Sequence, residues 1–114
     1  MQTVRYVVLH HTAIAEPHFD VMIESHPGGP LLTWRAPHWP IEAPTPFVAL
    51  GDHRNHYLTY EGEVSNGRGT VSRVAGGSCE VTTPDASQLI VRFNDGQCLN
   101  LVIAAGTRWT ALPV

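Results

Sequence analysis

The chain has no segment of ten or more residues whose apolar residues recur with helical periodicity. Its apolar residues instead fall in short runs separated by glycine, proline and asparagine, which is typical of β-strands. We predict strands over residues 3–11, 18–24, 31–36, 47–50, 69–74, 78–82, 89–93, 98–104 and 108–112, and a helical turn over 56–61. The segment Asn94-Asp95-Gly96-Gln97 is the clearest hairpin signal. Because barrel closure protects strand edges, we predict one all-β domain over 1–114, a small β-barrel with short helical turns.

Charge and cysteine content narrow the classes of function. The formal net charge of −3 argues against a large non-specific nucleic-acid surface, which is normally basic. Residues 1–5 show no signal-peptide pattern and no apolar run approaches the length of a membrane span, so we expect a cytoplasmic monomer with no membrane partner. Cys79 and Cys98 form no C-x-x-C pair, and we expect two buried thiols, although spacing alone leaves a disulfide open.

The histidines are confined to one half of the chain, since all seven precede Tyr57. Five of them flank acidic residues, in the segments His10-His11, His18-Phe19-Asp20 and Asp52-His53-Arg54-Asn55-His56. Imidazole beside carboxylate is what a divalent-metal site or an acid–base site requires. The clustering of histidines therefore indicates a divalent-metal site or an acid–base site.

A first candidate site lies on the second predicted strand. His18 and Asp20 are two residues apart, so both side chains leave one face, which we expect to point into the mouth of the barrel. Their nitrogen and oxygen ligands suit Mn²⁺, Zn²⁺ or Fe²⁺. Of the adjacent His10 and His11, only one can supply the third ligand. The alternative is an ordinary hydrogen-bonded pair on a polar strand face.

A second candidate element contains His53 and Tyr57. These residues are four apart, which would place them on one side of a helical turn. An imidazole and a phenol in that arrangement can donate hydrogen bonds to phosphate oxygens. Without further context, a histidine that caps a helix and a half-buried tyrosine are the better explanation of the pattern.

Several segments, in this order, resemble the phosphoesterase domain found at the N-terminus of bacterial DNA ligase D and as a stand-alone protein. The family pattern is H-x-A-x-x-L-H-Y-D-F-R-L-E, then W-x-x-P-K, then E-D-H-x-x-x-Y-x-x-F-E-G. The matching segments here are His11-Thr12-Ala13, His18-Phe19-Asp20-Val21-Met22-Ile23-Glu24, Trp34-Arg35-Ala36-Pro37-His38 and Gly51-Asp52-His53-Arg54-Asn55-His56-Tyr57-Leu58-Thr59-Tyr60-Glu61-Gly62. The resemblance covers about the first two thirds of the chain.

The resemblance implies a Mn²⁺-dependent enzyme that removes a 3′-phosphate or a 3′-terminal ribonucleotide during DNA end repair. Its metal ligands would be His11, His18 and Asp20, while His53 and Tyr57 would contact the scissile phosphate. Zn²⁺ or another divalent transition metal would suit the same ligands. The implied partners are nucleic-acid 3′ ends, in primer-template or nicked DNA, and a DNA ligase or polymerase.

The chain also departs from the family pattern. One extra residue separates His11 from His18, which makes His10 an alternative ligand. The family's basic residues are replaced at Met22, His38 and Thr45, and its acidic residue before Asp52 is Gly51. Arg35, His38, Arg54 and Arg68 are the candidates for replacement phosphate contacts. The competing hypotheses are a non-catalytic module that binds nucleic-acid ends or a repair protein around a vestigial metal site, and metal-dependent chemistry on a small phosphorylated metabolite.

Overall fold

The computed structural model describes residues 1–114 and confirms the all-β prediction. Nine strands and one 3₁₀ helix (Asn55–Leu58) make up the regular structure. The strands are β1 (Gln2–Thr12), β2 (His18–Glu24), β3 (Leu31–Ala36), β4 (Thr45–His53), β5 (Gly62–Glu63), β6 (Thr70–Asp85), β7 (Gln88–Phe93), β8 (Cys98–Ala105) and β9 (Arg108–Pro113). No helix is long and apolar enough to cross a membrane.

Eight of these strands form a closed antiparallel barrel. Their order is β1-β2-β3-β4-β9-β8-β7-β6, and β6 pairs again with β1, so the only strand outside the closed ring is β5, which pairs with the start of β6. The predicted hairpin is confirmed, since Gly96 donates a hydrogen bond to the Phe93 carbonyl between β7 and β8.

One boundary prediction was wrong, because the two strands predicted over 69–74 and 78–82 are one strand, β6, which begins at Thr70. Gly76 and Gly77 suggested a break, but both pair with β1, opposite Val7 and Tyr6. The register shifts nearby, between Val8 and Leu9 of β1. Pairing with β1, which is distant in the sequence, therefore overrides the local preference of glycine for a turn. The 3₁₀ helix also begins and ends earlier than the predicted turn over 56–61.

The barrel interior is filled by a cluster of fifteen buried residues that come from all eight barrel strands and the loop before β4. Val21 and Ile23 of β2 belong to this cluster. Because side chains alternate along a strand, His18 and Asp20 must leave β2 on the outer face of the barrel wall. The prediction that they point into the barrel mouth was therefore wrong.

A second apolar cluster covers this part of the outer face. It contains residues from β1, β2, β3, β6 and the 3₁₀ helix, namely Val7, Leu9, Met22, Leu31, Leu58 and Val71. Leu58, which is 5% exposed, attaches the 3₁₀ helix to the barrel wall. The outer face of β2 is consequently buried as well. Alternation of side chains alone would have predicted that this face is polar and solvated.

Both cysteines are free thiols. Cys79 on β6 is buried and Cys98 on β8 is half-buried, so the prediction of two buried thiols holds fully only for Cys79. β7 lies between their strands. Burial, with a smaller contribution from the Glu24 charge, raises the pKa of Cys79 to about 12, so this thiol stays protonated and unreactive near neutral pH.

Glu24 is a buried carboxylate that ties three segments together. Its Oε1 accepts a hydrogen bond from the Arg5 amide of β1 at 2.7 Å. Its Oε2 accepts from the Gly28 amide at 2.8 Å and from the Asn55 side chain at 3.0 Å. Asn55 also donates to the Gly29 carbonyl at 2.7 Å. These bonds fix the start of the 3₁₀ helix against the β2–β3 turn.

We expect the contribution of Glu24 to stability to be lost in acid. Burial alone would raise the pKa of Glu24, but the three donated hydrogen bonds and the Arg5 charge hold it below its ordinary value of 4.5. A carboxyl group with a lowered folded-state pKa stabilises the fold fully above its unfolded-state pKa and loses that effect as pH falls through the folded-state value. The free energies of unfolding of wild type and Glu24→Gln, measured in urea from pH 7 to pH 2, should therefore converge below about pH 4.5. A difference independent of pH would contradict this assignment.

Candidate metal centre

The pairing of β1 with β2 brings three ligand side chains together. His11 lies directly opposite His18 in the strand register, and Asp20 follows two residues later on the same face. His18 Nε2 is 3.1 Å from Asp20 Oδ1, and His11 Nδ1 is 3.5 Å from Asp20 Oδ2. The ligand atoms of the three residues all lie within 4.8 Å of one another.

Backbone carbonyls determine which nitrogen of each imidazole carries the proton. His18 Nδ1 lies 2.9 Å from the Glu16 carbonyl oxygen, and His11 Nε2 lies 2.6 Å from the Arg68 carbonyl oxygen. Because a carbonyl oxygen only accepts, both of these nitrogens must donate. In the neutral rings, the lone pairs are then on His18 Nε2 and His11 Nδ1, the two atoms that face Asp20. A backbone carbonyl that orients a ring in this way is a common companion of metal-binding histidine.

The Asp20 carboxylate lacks the donors that a buried anion needs. Asp20 is only 5% exposed, and its Oδ1 accepts no hydrogen bond, since the close contact with His18 Nε2 lacks hydrogen-bond geometry. Two imidazole lone pairs directed at a carboxylate repel it unless a cation lies between them or one ring is protonated. The donor set of two nitrogens and one carboxylate thus fits a divalent transition metal.

These three residues line one side of a cavity of about 190 Å³ on the outer face of the barrel. The cavity combines the proposed ligands with cationic, hydrogen-bonding and apolar side chains: His11, His18, Asp20, Met22, Arg35, Leu50, His53, Tyr57, Val64, Arg68 and Val71. Asp20 is its only acidic residue. The cavity can therefore accept an anionic group beside a metal.

His53 and Tyr57 reach the same cavity from the end of β4 and from the 3₁₀ helix. Their ring centroids are 5.7 Å apart, in an edge-to-face arrangement. His53 Nδ1 donates to the Gly51 carbonyl at 3.0 Å, which leaves Nε2 without a protein partner. The Tyr57 hydroxyl also makes no hydrogen bond to the protein.

The four candidate phosphate-binding residues separate into two pairs. Arg35 lies opposite Asp20 in the β2–β3 register and lines the cavity, as does Arg68. Arg68 is held by the Ser65 carbonyl and hydroxyl, at 2.8 and 3.2 Å. Arg54 and His38 are exposed and do not line the cavity.

His10 is placed away from the cluster. It pairs with Phe19 in the register and stacks on that ring, with centroids 4.4 Å apart and an interplanar angle of 7°. Adjacent strand residues face opposite ways, so the position of His11 in the cluster excludes His10 from it. The extra residue before His18 falls in the β1–β2 connection, where Ala13 adopts a φ of +59°.

Sequence reasoning missed the residues that hold the ligands in place. The Glu16 and Arg68 carbonyls carry no sequence signal, because every residue has one. Gly69 is more specific: with φ of +90°, an added Cβ would lie 2.5 Å from the Thr12 carbonyl oxygen and 2.9 Å from His11 Nε2. Only glycine allows the chain to pass this close to His11.

Gly69→Ala should weaken metal binding by about 10- to 100-fold, because it pushes the Arg68 carbonyl away from His11. The measurement is isothermal titration with Zn²⁺, accompanied by circular dichroism to verify the fold. Gly67→Ala is the matched control, since Gly67 also has a positive φ (+66°) but nothing within 4 Å of an added Cβ. Equal losses in both variants would show that backbone strain alone is responsible.

Comparison of this chain with models of known protein families and with curated proteins gives no match. The chemistry of the cavity therefore has to be inferred from its own side chains.

Proposed function

We propose that this protein is a metal-dependent phosphoesterase that acts on nucleic-acid 3′ ends, removing a 3′-phosphate or a 3′-ribonucleotide in DNA end repair. The supporting observation is one cavity that holds the His11, His18 and Asp20 cluster together with two arginines, His53 and Tyr57. Its substrates would be primer-template or nicked DNA, in the cytoplasm and alongside a DNA ligase or polymerase. Mn²⁺ or Zn²⁺ is the proposed metal.

The roles of the residues follow from what each can donate. A divalent metal, when bound, supplies positive charge to a phosphoryl oxygen and lowers the pKa of water. Arg35 and Arg68 offer planar donor groups suited to the other phosphoryl oxygens. Water adds to phosphorus as the bond to the 3′ oxygen breaks; the water gives up one proton and the 3′ oxygen takes one up, so the products are phosphate and a 3′-hydroxyl. The Tyr57 hydroxyl, and His53 Nε2 when the ring is an imidazolium, are the groups free to donate hydrogen bonds there.

One observation favours the non-catalytic alternative. Met22 stands where the ligase D phosphoesterase pattern has an arginine, and it is 2% exposed and packed in the outer apolar cluster. Leu50, Val64 and Val71 add further apolar surface to the cavity. A phosphate would therefore meet fewer cations here, as expected of a module that binds a nucleic-acid end without cleaving it.

The test is release of phosphate from a 3′-phosphorylated primer annealed to a template, with Mn²⁺ present. We expect a 3′-hydroxyl product from wild type, and no product from protein freed of metal. Wild type that releases no phosphate but binds the same primer-template in a salt-dependent manner would support the binding module instead.

His53→Ala should retain metal and lower the rate of phosphate release by about 10²- to 10⁴-fold, because it removes the free imidazole nitrogen near the leaving oxygen. His26→Ala is the matched control, since His26 is exposed in the β2–β3 connection and does not line the cavity. Metal content is measured in the same samples. Loss of metal from His53→Ala would make His53 a ligand and would refute its assigned role.

A further inference from the structure

A second concavity, of about 270 Å³, adjoins the candidate metal centre on the outer face of the barrel. It shares His18 and Arg35 with the first cavity. The rest of its wall is apolar apart from Glu16, and consists of Pro17, Ala36, Pro37, Pro46 and Val48. We call this concavity the proline groove. The two concavities thus meet at a metal ligand and a guanidinium.

Val48 is the most informative residue of the proline groove. It is 39% exposed, and apart from the residues at the two chain ends, only Val74 is a comparably exposed large hydrophobic residue. Val48 lies directly opposite Arg35 in the β3–β4 register, so both side chains leave the same face of the wall. Exposed apolar surface beside convergent polar groups is typical of a ligand site.

We propose that the proline groove binds the base of the terminal nucleotide whose 3′-phosphate lies at the candidate metal centre. This inference rests on the proposed function, which supplies a phosphate covalently joined to a nucleoside. With the phosphate beside Arg35, the attached nucleoside must occupy a neighbouring surface, and the proline groove is the concavity that shares Arg35. Pyrrolidine rings and a valine side chain offer apolar contact that does not depend on the identity of the base, and Glu16 is the only polar residue of the wall besides His18 and Arg35.

The test compares the binding of thymidine 3′-monophosphate with that of 2-deoxyribose 3-phosphate, which lacks the base. Both are titrated into Zn²⁺-loaded protein and followed by methyl NMR. We expect the nucleotide to bind about tenfold more tightly, near the lower end of the effect of stacking one base on an aromatic side chain, because the proline groove offers apolar contact without an aromatic ring. The Val48 methyl resonances should shift with the nucleotide and not with the sugar phosphate.

Val48→Asn should remove most of this tenfold preference, because a polar amide replaces the apolar contact without adding charge near the phosphate. Val74→Asn, at the other exposed valine, should keep it. Equal affinity for the two ligands in wild type would overturn the inference. His56 and Tyr60 line neither concavity. If the nucleotide alone shifts their ring resonances, the base binds at the 3₁₀ segment and the inference is likewise overturned.

The base preference is measured by binding, so it does not depend on whether the protein releases phosphate. If the primer assay yields no phosphate while the base preference and its dependence on Val48 persist, the proposed catalysis fails and the groove stands as a nucleotide-end binding site. If phosphate is released equally from primers with a normal and an abasic 3′-terminal nucleotide, catalysis stands and the groove assignment fails.

Discussion

Asp20→Asn should abolish the metal-dependent stabilisation of this protein without lowering its stability in the absence of metal. With metal at 100 times its dissociation constant, wild type should gain about 2.7 kcal/mol in free energy of unfolding. The variant should gain at most about 0.4 kcal/mol, because the charged ligand between the two imidazoles is gone and metal affinity falls by at least ~100-fold. Thermal or urea unfolding with and without Zn²⁺ measures both quantities.

The stability of the metal-free Asp20→Asn variant is the more decisive of the two measurements. The side-chain amide that replaces the Asp20 carboxylate can donate to the lone pair on His18 Nε2 or His11 Nδ1, so it relieves the repulsion that Asp20 creates. If Asp20 instead forms an ion pair with a protonated histidine, Asp20→Asn should destabilise the metal-free protein by about 3–5 kcal/mol, and wild type should take up no metal. Glu16→Gln is the matched acid-to-amide control, because the exposed Glu16 contacts His18 only through its backbone carbonyl.

Glu24→Ala should lower the free energy of unfolding by about 3–5 kcal/mol, a large fraction of the ~5–15 kcal/mol typical of a domain. The substitution leaves the Arg5 and Gly28 amides without their acceptor and frees the Asn55 side chain from β2. The start of the 3₁₀ helix should then loosen, and with it the position of Tyr57. Urea unfolding gives the free energy, and nuclear Overhauser contacts between the His53 and Tyr57 rings report the local geometry.

Glu24→Gln keeps the shape of the side chain and one acceptor oxygen, so it should lower the free energy of unfolding by only about 1–3 kcal/mol. This variant keeps the test informative if Glu24→Ala fails to fold. Glu42→Ala is the surface control, since Glu42 is exposed and its side chain makes no hydrogen bond. A Glu24→Ala variant as stable as the Glu42→Ala variant would show that the Glu24 network does not hold the 3₁₀ helix.

Local signals in the sequence were sufficient for most of the architecture. Strand β2 was predicted with its observed bounds, and the hairpin at Gly96 lies where the asparagine, aspartate and glycine indicated. The joining of residues 69–74 and 78–82 into one strand could not be predicted, since Gly76 and Gly77 continue the strand only because β1 pairs with them. Pairing between strands some 70 residues apart leaves no trace in a local window.

The candidate site was predictable in its residues but not in its location. Alternation along β2 places His18 and Asp20 on one face whatever the fold, and likewise allows only one of His10 and His11 to join them. Which face becomes the interior depends on the apolar side chains of all eight strands. The outer face, Met22 included, is then buried by the 3₁₀ helix and β6, which no periodicity within β2 reveals.

The sequence by itself determined an all-β chain, its strand periods and a segregated set of imidazoles and carboxylates, because these follow from residue chemistry and spacing. The tertiary structure alone decided that His11 rather than His10 meets Asp20, that Gly69 brings the Arg68 carbonyl onto His11, and that the site lies outside the barrel. The physical reason is that register, burial and backbone hydrogen bonds are set by segments distant in the chain, and they fix the direction in which each lone pair points.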